Sequence, residues 1–379
     1  MSETLKIKKV ENKKALKTFV KMVPKFYKND PHYVQMLDFE RMGLLSKEKN
    51  PYFLHAKAEY WIAFRGDEPV GRISAQIDQL SLEKIDPKLG SFGMFECENN
   101  IATAKALFDV ATGWLKSRDM TKVRGPYNLS VNSECGLLVK GFNTDPMVMM
   151  GHAPKYYGEL FERLGFEKEK DLLAYSLDLN LPWPEKIERI LKIGYKNKRV
   201  DIRPMDKNNF ETNFEIVFDI FNDAWSENWG FLPFTKEEAH HTAKEMKPLI
   251  KPEKALFAYL NDKPVGFMIT LPNINWMIKD LGGKLFPFGW AKFIWRLFTK
   301  AEVQNRVPLM GMRKDVQGSP SAGMMVMMLI DLSRKYCVKN GGKIGELSWI
   351  LEDNKAMNNI LLQIGCIHYK TYRMYGKDI

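Results

Sequence analysis

The feature that most constrains this chain is a repeat. The stretch Trp61–Ser74 reads WIAFRGDEPVGRIS and Leu256–Ile269 reads LFAYLNDKPVGFMI. Each is an apolar run, a polar turn ending in Pro-Val-Gly, and a second apolar run, which is the pattern of a β-hairpin. Later elements recur in the same order after both copies, so the pattern predicts a duplicated domain. The 379 residues are enough for two cores. Pro182-Trp183-Pro184 interrupts the pattern. The expected division is therefore 1–181, a basic helical linker at 182–199, and 200–379 with an insertion at 273–306.

Within the first half, strands are expected at 59–64, 70–76, 92–97 and 172–179, with helices at 102–118 and 156–164. The second half repeats this as strands at 200–204, 255–260, 265–270, 307–315, 345–350 and 367–374. Its helices are expected at 210–222, 321–339 and 355–364. The fold class is α/β (α+β), with two mixed, mostly antiparallel twisted sheets carrying helices on both faces.

A net charge of +11 favours a phosphate-bearing partner: nucleic acid, an anionic membrane, or a phosphorylated cofactor. No helix-turn-helix, zinc-finger or RNA-binding signature supports sequence-specific nucleic-acid binding. The four cysteines have no CxxC spacing, so neither a metal site nor a disulfide framework is expected. The N-terminus shows no apolar signal stretch. The expected location is cytoplasmic, with a peripheral position at the inner membrane as its variant.

Chemistry concentrates between the strand and the helix near residue 312. Met312 to Gly323 reads MRKDVQGSPSAG. Glycine lets backbone approach a ligand, and a helix start attracts phosphate. Glu346 to Asn354, ELSWILEDN, then leads into a helix stopped by Gly365 and a strand carrying Tyr369 and Tyr372. From Val200 onward this order of hairpin, phosphate-type turn, Asn-led helix and tyrosine strand resembles the GNAT acyltransferase superfamily. Together with GPYNLSVNSECGLLVKGF (125–142) and DAWSENWGF (223–231), it is similar to a bacterial group of double-GNAT proteins related to bacterial ceramide synthases.

The resemblance implies an acyl-CoA or acetyl-CoA donor held between two splayed strands, and no metal. Its pyrophosphate would lie on Gln317, Gly318, Ser319, Ala322 and Gly323, with Arg313 adding charge, and Asn354 would meet the pantetheine arm. Pro320 within the turn departs from the family pattern. A carboxylate can take the proton an attacking amine must lose, and Glu352 is the expected one, with Glu346 less favoured. Tyr369 or Tyr372 would protonate the leaving thiolate. Asp223, Trp225, Glu227 and Trp229 are candidates to line the acceptor pocket.

The first half reads as a degenerate copy. Glu96 and Glu98 stand where a pyrophosphate would bind, no glycine accompanies them, and like charges repel. That half is expected not to bind CoA. Asn132 and Glu134, with Asn128, His152 and Tyr156, are expected to face the active cleft. In the insertion, Lys292, Arg296 and Lys300 fall four apart beside Trp290, Phe293, Ile294, Trp295 and Phe298, so 285–300 is expected to meet a membrane surface or cover an acyl chain. The alternative for that segment is a helix buried between domains. The expected function is N-acyl transfer to a small-molecule or lipid-like amine. An aminoacyl-tRNA-dependent transferase of the same fold and a non-enzymatic membrane or nucleic-acid module are the alternatives.

Overall fold

The structure is a computed structural model, described here for residues 4–300 and 302–379. The strands in chain order are β1 (Leu5–Lys9), β2 (Ala56–Arg65), β3 (Glu68–Asp78), β4 (Leu89–Cys97), β5 (Lys122–Gly125), β6 (Leu137–Lys140), β7 (Glu167–Asp178), β8 (Val200–Pro204), β9 (Ala255–Leu260), β10 (Lys263–Pro272), β11 (Gln304–Met312), β12 (Ile344–Leu351) and β13 (Ile367–Asp378). The chain folds into two compact units. Unit 1 is Met1–Leu172 with Asn275–Leu297 and Lys370–Ile379; unit 2 is Leu173–Ile274 with Phe298–Tyr369.

Both units are built on the repeated hairpin. In unit 1, β2 and β3 pair antiparallel from Ala56↔Asp78 to Arg65↔Glu68. β1 joins the outer edge of β2, and β4 the other edge of β3. β5 pairs parallel with β4, and the end of β13 closes on β5. In unit 2, β9 and β10 form the matching hairpin, flanked by β8 and by β11, and β12 pairs parallel with β11. These pairings are antiparallel except β4 with β5 and β11 with β12, which are parallel.

In unit 1 the helix Ile101–Lys116 turns Leu107, Phe108, Ala111 and Leu115 onto the sheet. Phe92, Phe95, Phe161 and Phe166 surround Phe108 with ring centroids 4.6–5.3 Å away. Aromatic side chains pack favourably at such stacked, tilted and edge-on geometries. In unit 2 the methionine-rich helix Pro320–Lys339 buries Met325, Met327, Met328 and Leu329. Unbranched methionine fills irregular gaps between helices. Gly194 lets the helix Glu185–Gly194 lie close on it: a Cβ there would stand 2.6 Å from the Met328 sulfur.

The units depart from a simple cut near residue 182. Pro182-Trp183-Pro184 is anchored within unit 2, not a free linker. The Trp183 indole donates to buried Asp331 at 2.7 Å, and Tyr195 OH donates to the same carboxylate at 2.6 Å. The helix there ends at Gly194 instead of continuing to 199. The insertion packs in unit 1, where buried Asn275 donates to the carbonyls of Pro146 and Met147, each at 3.0 Å. The last strand also enters unit 1: buried Lys370 caps the carbonyls of Gly141 at 2.9 Å and Thr144 at 2.8 Å.

Candidate functional site

β11 and β12 pair only from Gln304↔Ile344 to Val307↔Leu347, although β11 runs on to Met312 and β12 to Leu351. Past those rungs the two parallel strands part. The neighbouring β10 shifts register between Ile269 and Leu271. Such a bulge bends and twists its strand locally.

At the root of the opening lies a buried polar cluster. Arg306 Nε donates to Ser348 Oγ at 2.9 Å, and Ser348 Oγ donates to Glu346 Oε1 at 2.6 Å. Tyr369 OH donates to the other carboxylate oxygen of Glu346. The guanidinium stands 3.4 Å from Glu346. Buried charges persist where they are paired and hydrogen-bonded, as these are. Glu346, the less favoured carboxylate in the sequence, is thus fully enclosed and holds Tyr369. Glu352 lies further along, half-buried, its carbonyl accepting from Asn358 at 3.3 Å. Tyr372, three residues further along the same strand, is fully buried.

The turn after β11 ends on the helix Pro320–Lys339, with Ser319 as its cap. Gly318 holds φ +74°, a conformation other residues rarely adopt. Four of the five expected phosphate-binding amides already donate internally. Gln317 N bonds Arg313 O at 3.1 Å, and Ser319 N bonds Val316 O at 3.2 Å. Ala322 N bonds Ser319 Oγ at 3.1 Å, and Gly323 N bonds Ser319 O at 3.3 Å. Arg313 pairs with Asp219, and Lys314 with Glu227 at 2.7 Å and through its amide with Asp223 at 2.9 Å. The expected acceptor-pocket acids Asp223 and Glu227 are therefore held by Lys314 at the surface, while Arg313 is taken up by Asp219. Gln317 Nε2 donates to Met312 O at 2.7 Å, and the Trp225 indole donates to Met310 O at 3.1 Å. Trp229 is half-buried in the segment that follows the Phe210–Trp225 helix. Asn354 caps the helix Lys355–Gln363, accepting from Met357 N at 3.1 Å.

Unit 1 differs at the matching place. β4 and β5 pair from Leu89↔Lys122 to Ser91↔Arg124. The chain beyond β5 then stays on β4: Tyr127 N donates to Phe92 O at 2.7 Å, and Met94 N to Asn128 Oδ1 at 3.1 Å. A Cβ on Gly93 would meet the Tyr127 carbonyl at 1.6 Å. The two glutamates expected in one turn also separate. Glu98 stays at the helix start, held by Arg65 and by Thr103 Oγ, each at 2.6 Å. Glu96 turns inward, where Tyr27 OH lies 3.0 Å and Tyr157 OH 2.9 Å from its Oε2. Burial pushes its carboxyl up to about 7 against the opposing pull of Arg72.

Beside Glu96 the structure brings together several residues of the 125–157 stretch. Glu134 accepts from Arg41 and, at 2.8 Å, from Asn128. His152 Nε2 lies 2.8 Å from Asp30. Tyr156 OH instead donates to Cys97 O at 2.7 Å, and Asn132 N donates to Ser130 Oγ at 3.1 Å. Sequence reasoning passed over Arg306, Ser348, Arg72, Asp30, Arg41 and Tyr27. A visible signal existed for two of them, since an arginine inside an otherwise apolar strand needs a buried partner. In the insertion, the helix Gly289–Thr299 has no buried residue. Phe286, Phe288, Trp290, Ile294 and Trp295 are exposed there, and Lys292 and Arg296 both bind Asp280.

No protein-family model matches the chain. Its fold is that of the tandem GNAT proteins. It superposes on a tandem GNAT protein from the clavulanic acid biosynthesis pathway with TM-score 0.58 and 10% identity, over 99% of this chain and 98% of that one. A probable N-acyltransferase from Enterococcus faecalis V583 matches with TM-score 0.52 and 10% identity, over 99% and 73%. In sequence, the chain is 41% identical over 365 residues to the bacterial ceramide synthase of Caulobacter vibrioides (strain NA1000 / CB15N), covering 96% of this chain and 95% of that protein. It is 38% identical over 369 residues to the protein YghO of Escherichia coli (strain K12), covering 97% and 94%. The chain belongs to the family of these two proteins.

Proposed function

We propose that this protein is an acyl-CoA-dependent N-acyltransferase whose acceptor is a lipid-like amine. The observation that carries the reading is the parting of β11 and β12 past Val307 and Leu347, which leaves two parallel strand edges open to a thioester arm. A capped twenty-residue helix follows the turn after β11, and its positive dipole end favours a pyrophosphate there even though most of the turn's amides donate internally. The relationship to a ceramide synthase supports an amine acceptor with a long chain.

In the reaction, the amine nitrogen attacks the thioester carbonyl and gives up a proton to a carboxylate, for which Glu352 is the candidate, the carbon–sulfur bond breaks, and the thiolate takes a proton. Tyr369, hydrogen-bonded to enclosed Glu346, is the unit 2 candidate for that proton. The exposed aromatic face of Gly289–Thr299 is a contact for a membrane surface, from which a lipid-like acceptor could be drawn.

The test is calorimetric titration with palmitoyl-CoA. A Gly323→Trp variant sharpens it, because a Cβ at Gly323 meets nothing within 4 Å and its φ is ordinary, so bulk can be added without a clash in the turn where this reading puts the pyrophosphate. Gly318 is a poorer choice, since its positive φ would add strain. The wild type should bind, and the variant at least tenfold more weakly, about 1.4 kcal/mol. Absence of wild-type binding overturns the reading.

A further inference from the structure

The fork between β11 and β12 holds one polar group that the proton steps do not use. Arg306 and Glu346 face each other on the rung before the last, Val307↔Leu347, and Ser348 follows that last rung directly. Trp349 comes next on β12 and is half-buried. The guanidinium of Arg306, carried by β11, lies 5.3 Å from the centre of its ring. A contact between side chains of the two strands just past their last rung sets the indole across the opening. Arg306, Glu346, Ser348, Trp349 and Tyr369 all belong to unit 2.

The other donors of this cluster have named partners. Arg306 directs Nε to Ser348 Oγ at 2.9 Å and a terminal nitrogen to Ser348 O at 3.2 Å. Ser348 Oγ donates to Glu346, and so does Tyr369 OH. Trp349 Nε1 is the exception: it is enclosed and meets no acceptor among the described residues. An indole nitrogen can only donate. Leaving a buried donor unmet is costly, and such groups in folded proteins call for a reason. Packing does not supply one, since a phenylalanine would fill much of the same space without an unmet N–H.

A group that satisfies this donor must bring a lone pair. A hydroxyl would need an acceptor for its own hydrogen as well. A carbonyl oxygen offers lone pairs and asks for nothing in return. The acyl donor carries carbonyls in its thioester and in the amides of its arm. The thioester carbonyl is bonded to the sulfur that Tyr369 would protonate, and Tyr369 joins Trp349 through Glu346, Ser348 and Arg306. We infer that the Trp349 indole N–H is the hydrogen-bond donor to the thioester carbonyl oxygen, with Arg306 the positioning residue that holds the ring across the fork. Attack on the carbonyl carbon moves an electron pair onto that oxygen, and the pair returns as the carbon–sulfur bond breaks. A fixed donor aimed at this developing charge stabilises the transition state. The cation against the ring face draws on its π electrons and makes the N–H a stronger donor. The inference deepens the acyl-CoA reading and rests on it for the identity of the donor.

The experiment labels the tryptophans of the full-length protein with a nitrogen isotope and follows their indole signals by magnetic resonance. The protein is titrated with palmitoyl-CoA and with S-hexadecyl-CoA, a thioether of the same chain length that lacks the carbonyl oxygen. The chain has nine tryptophans, and the signal lost in Trp349→Phe or in Trp349→Tyr identifies Trp349. Palmitoyl-CoA should move that signal downfield, whereas the thioether should bind and leave it in place. By calorimetry, Trp349→Phe should bind palmitoyl-CoA about fivefold more weakly than wild type, the worth of one hydrogen bond, and the thioether with unchanged affinity. A Trp349 signal that ignores palmitoyl-CoA, or responds equally to the thioether, overturns the inference. So does the lack of any carbonyl-selective change among the wild-type indole signals, a readout that needs no variant to fold. In each of these cases calorimetric binding of palmitoyl-CoA leaves the acyl-CoA reading standing. Failure of both ligands to bind overturns that reading and this inference with it.

Discussion

At the residue scale, Glu96 shows how context changes a role. On the sequence alone it is one of two acids spoiling a phosphate turn; in the fold it points inward among Tyr27, Tyr157, Arg72 and, around the cavity it lines, Arg41, Glu134 and His152. Its raised value has a consequence for stability. The folded state favours the protonated form, so this contribution is complete below about pH 4.5 and is lost as pH rises through about 7. His152, held neutral by burial, contributes with the opposite sign, its share fading as pH falls. Glu96→Gln isolates the first effect. Between pH 5 and 8 the stability of the variant relative to wild type should improve by on the order of 1–3 kcal/mol, read from urea midpoints. A pH-independent difference would contradict the inward, desolvated placement. The sequence exposed Glu134 and His152 as unusual but not their partners, because Asp30 and Arg41 arrive from segments more than 90 residues away.

At the scale of elements, the hairpins and the long helices were readable because their apolar periodicity is strong. The predicted helix at 321–339 is observed as Pro320–Lys339, and the strand at 265–270 lies inside β10. β5 and β6 were missed, being four residues each and defined by pairing more than by pattern. The basic, aromatic insertion was read as a helix, and it is one over Gly289–Thr299. Its charge was misjudged, since Asp280 neutralises much of the Lys292–Arg296 face. Membrane contact should therefore depend on aromatic burial more than on lipid charge. Each aromatic ring inserted contributes roughly 1.5–3 kcal/mol. Replacing Phe286, Phe288, Trp290 and Trp295 together by serine should abolish flotation with phosphatidylglycerol-containing vesicles and leave the thermal midpoint within about 2 °C. Undiminished flotation would remove this helix from the contact.

At the scale of the whole molecule, duplication was legible and the true extent of each copy was not. Contacts, not sequence order, define the units, and a local pattern carries no information about which distant strand will pair. The first 181 residues lack the strand end that pairs with β5 and β6, along with Lys370 and the segment Asn275–Leu297. A fragment 1–181 should lose its near-ultraviolet circular dichroism and unfold without a cooperative transition. A cooperative transition like that of the full chain would show that the borrowed strand is dispensable. The turn at 313–319 makes a related point: it was identified by its glycine and serine, yet the cations beside it are spent, Arg313 on Asp219 and Lys314 on Glu227.

The pairing of Tyr375 with Gly125 also has a meaning in time. The two partners are 250 positions apart, 375 minus 125. A ribosome making this chain therefore finishes nearly all of unit 2 before unit 1 can close its sheet. For that interval β5 presents an unpaired edge to the cell. Nascent unit 1 is consequently the half that a chaperone would be expected to hold. A reading frame interrupted before Tyr375 would take from the first-made half of the protein the strand that closes on β5.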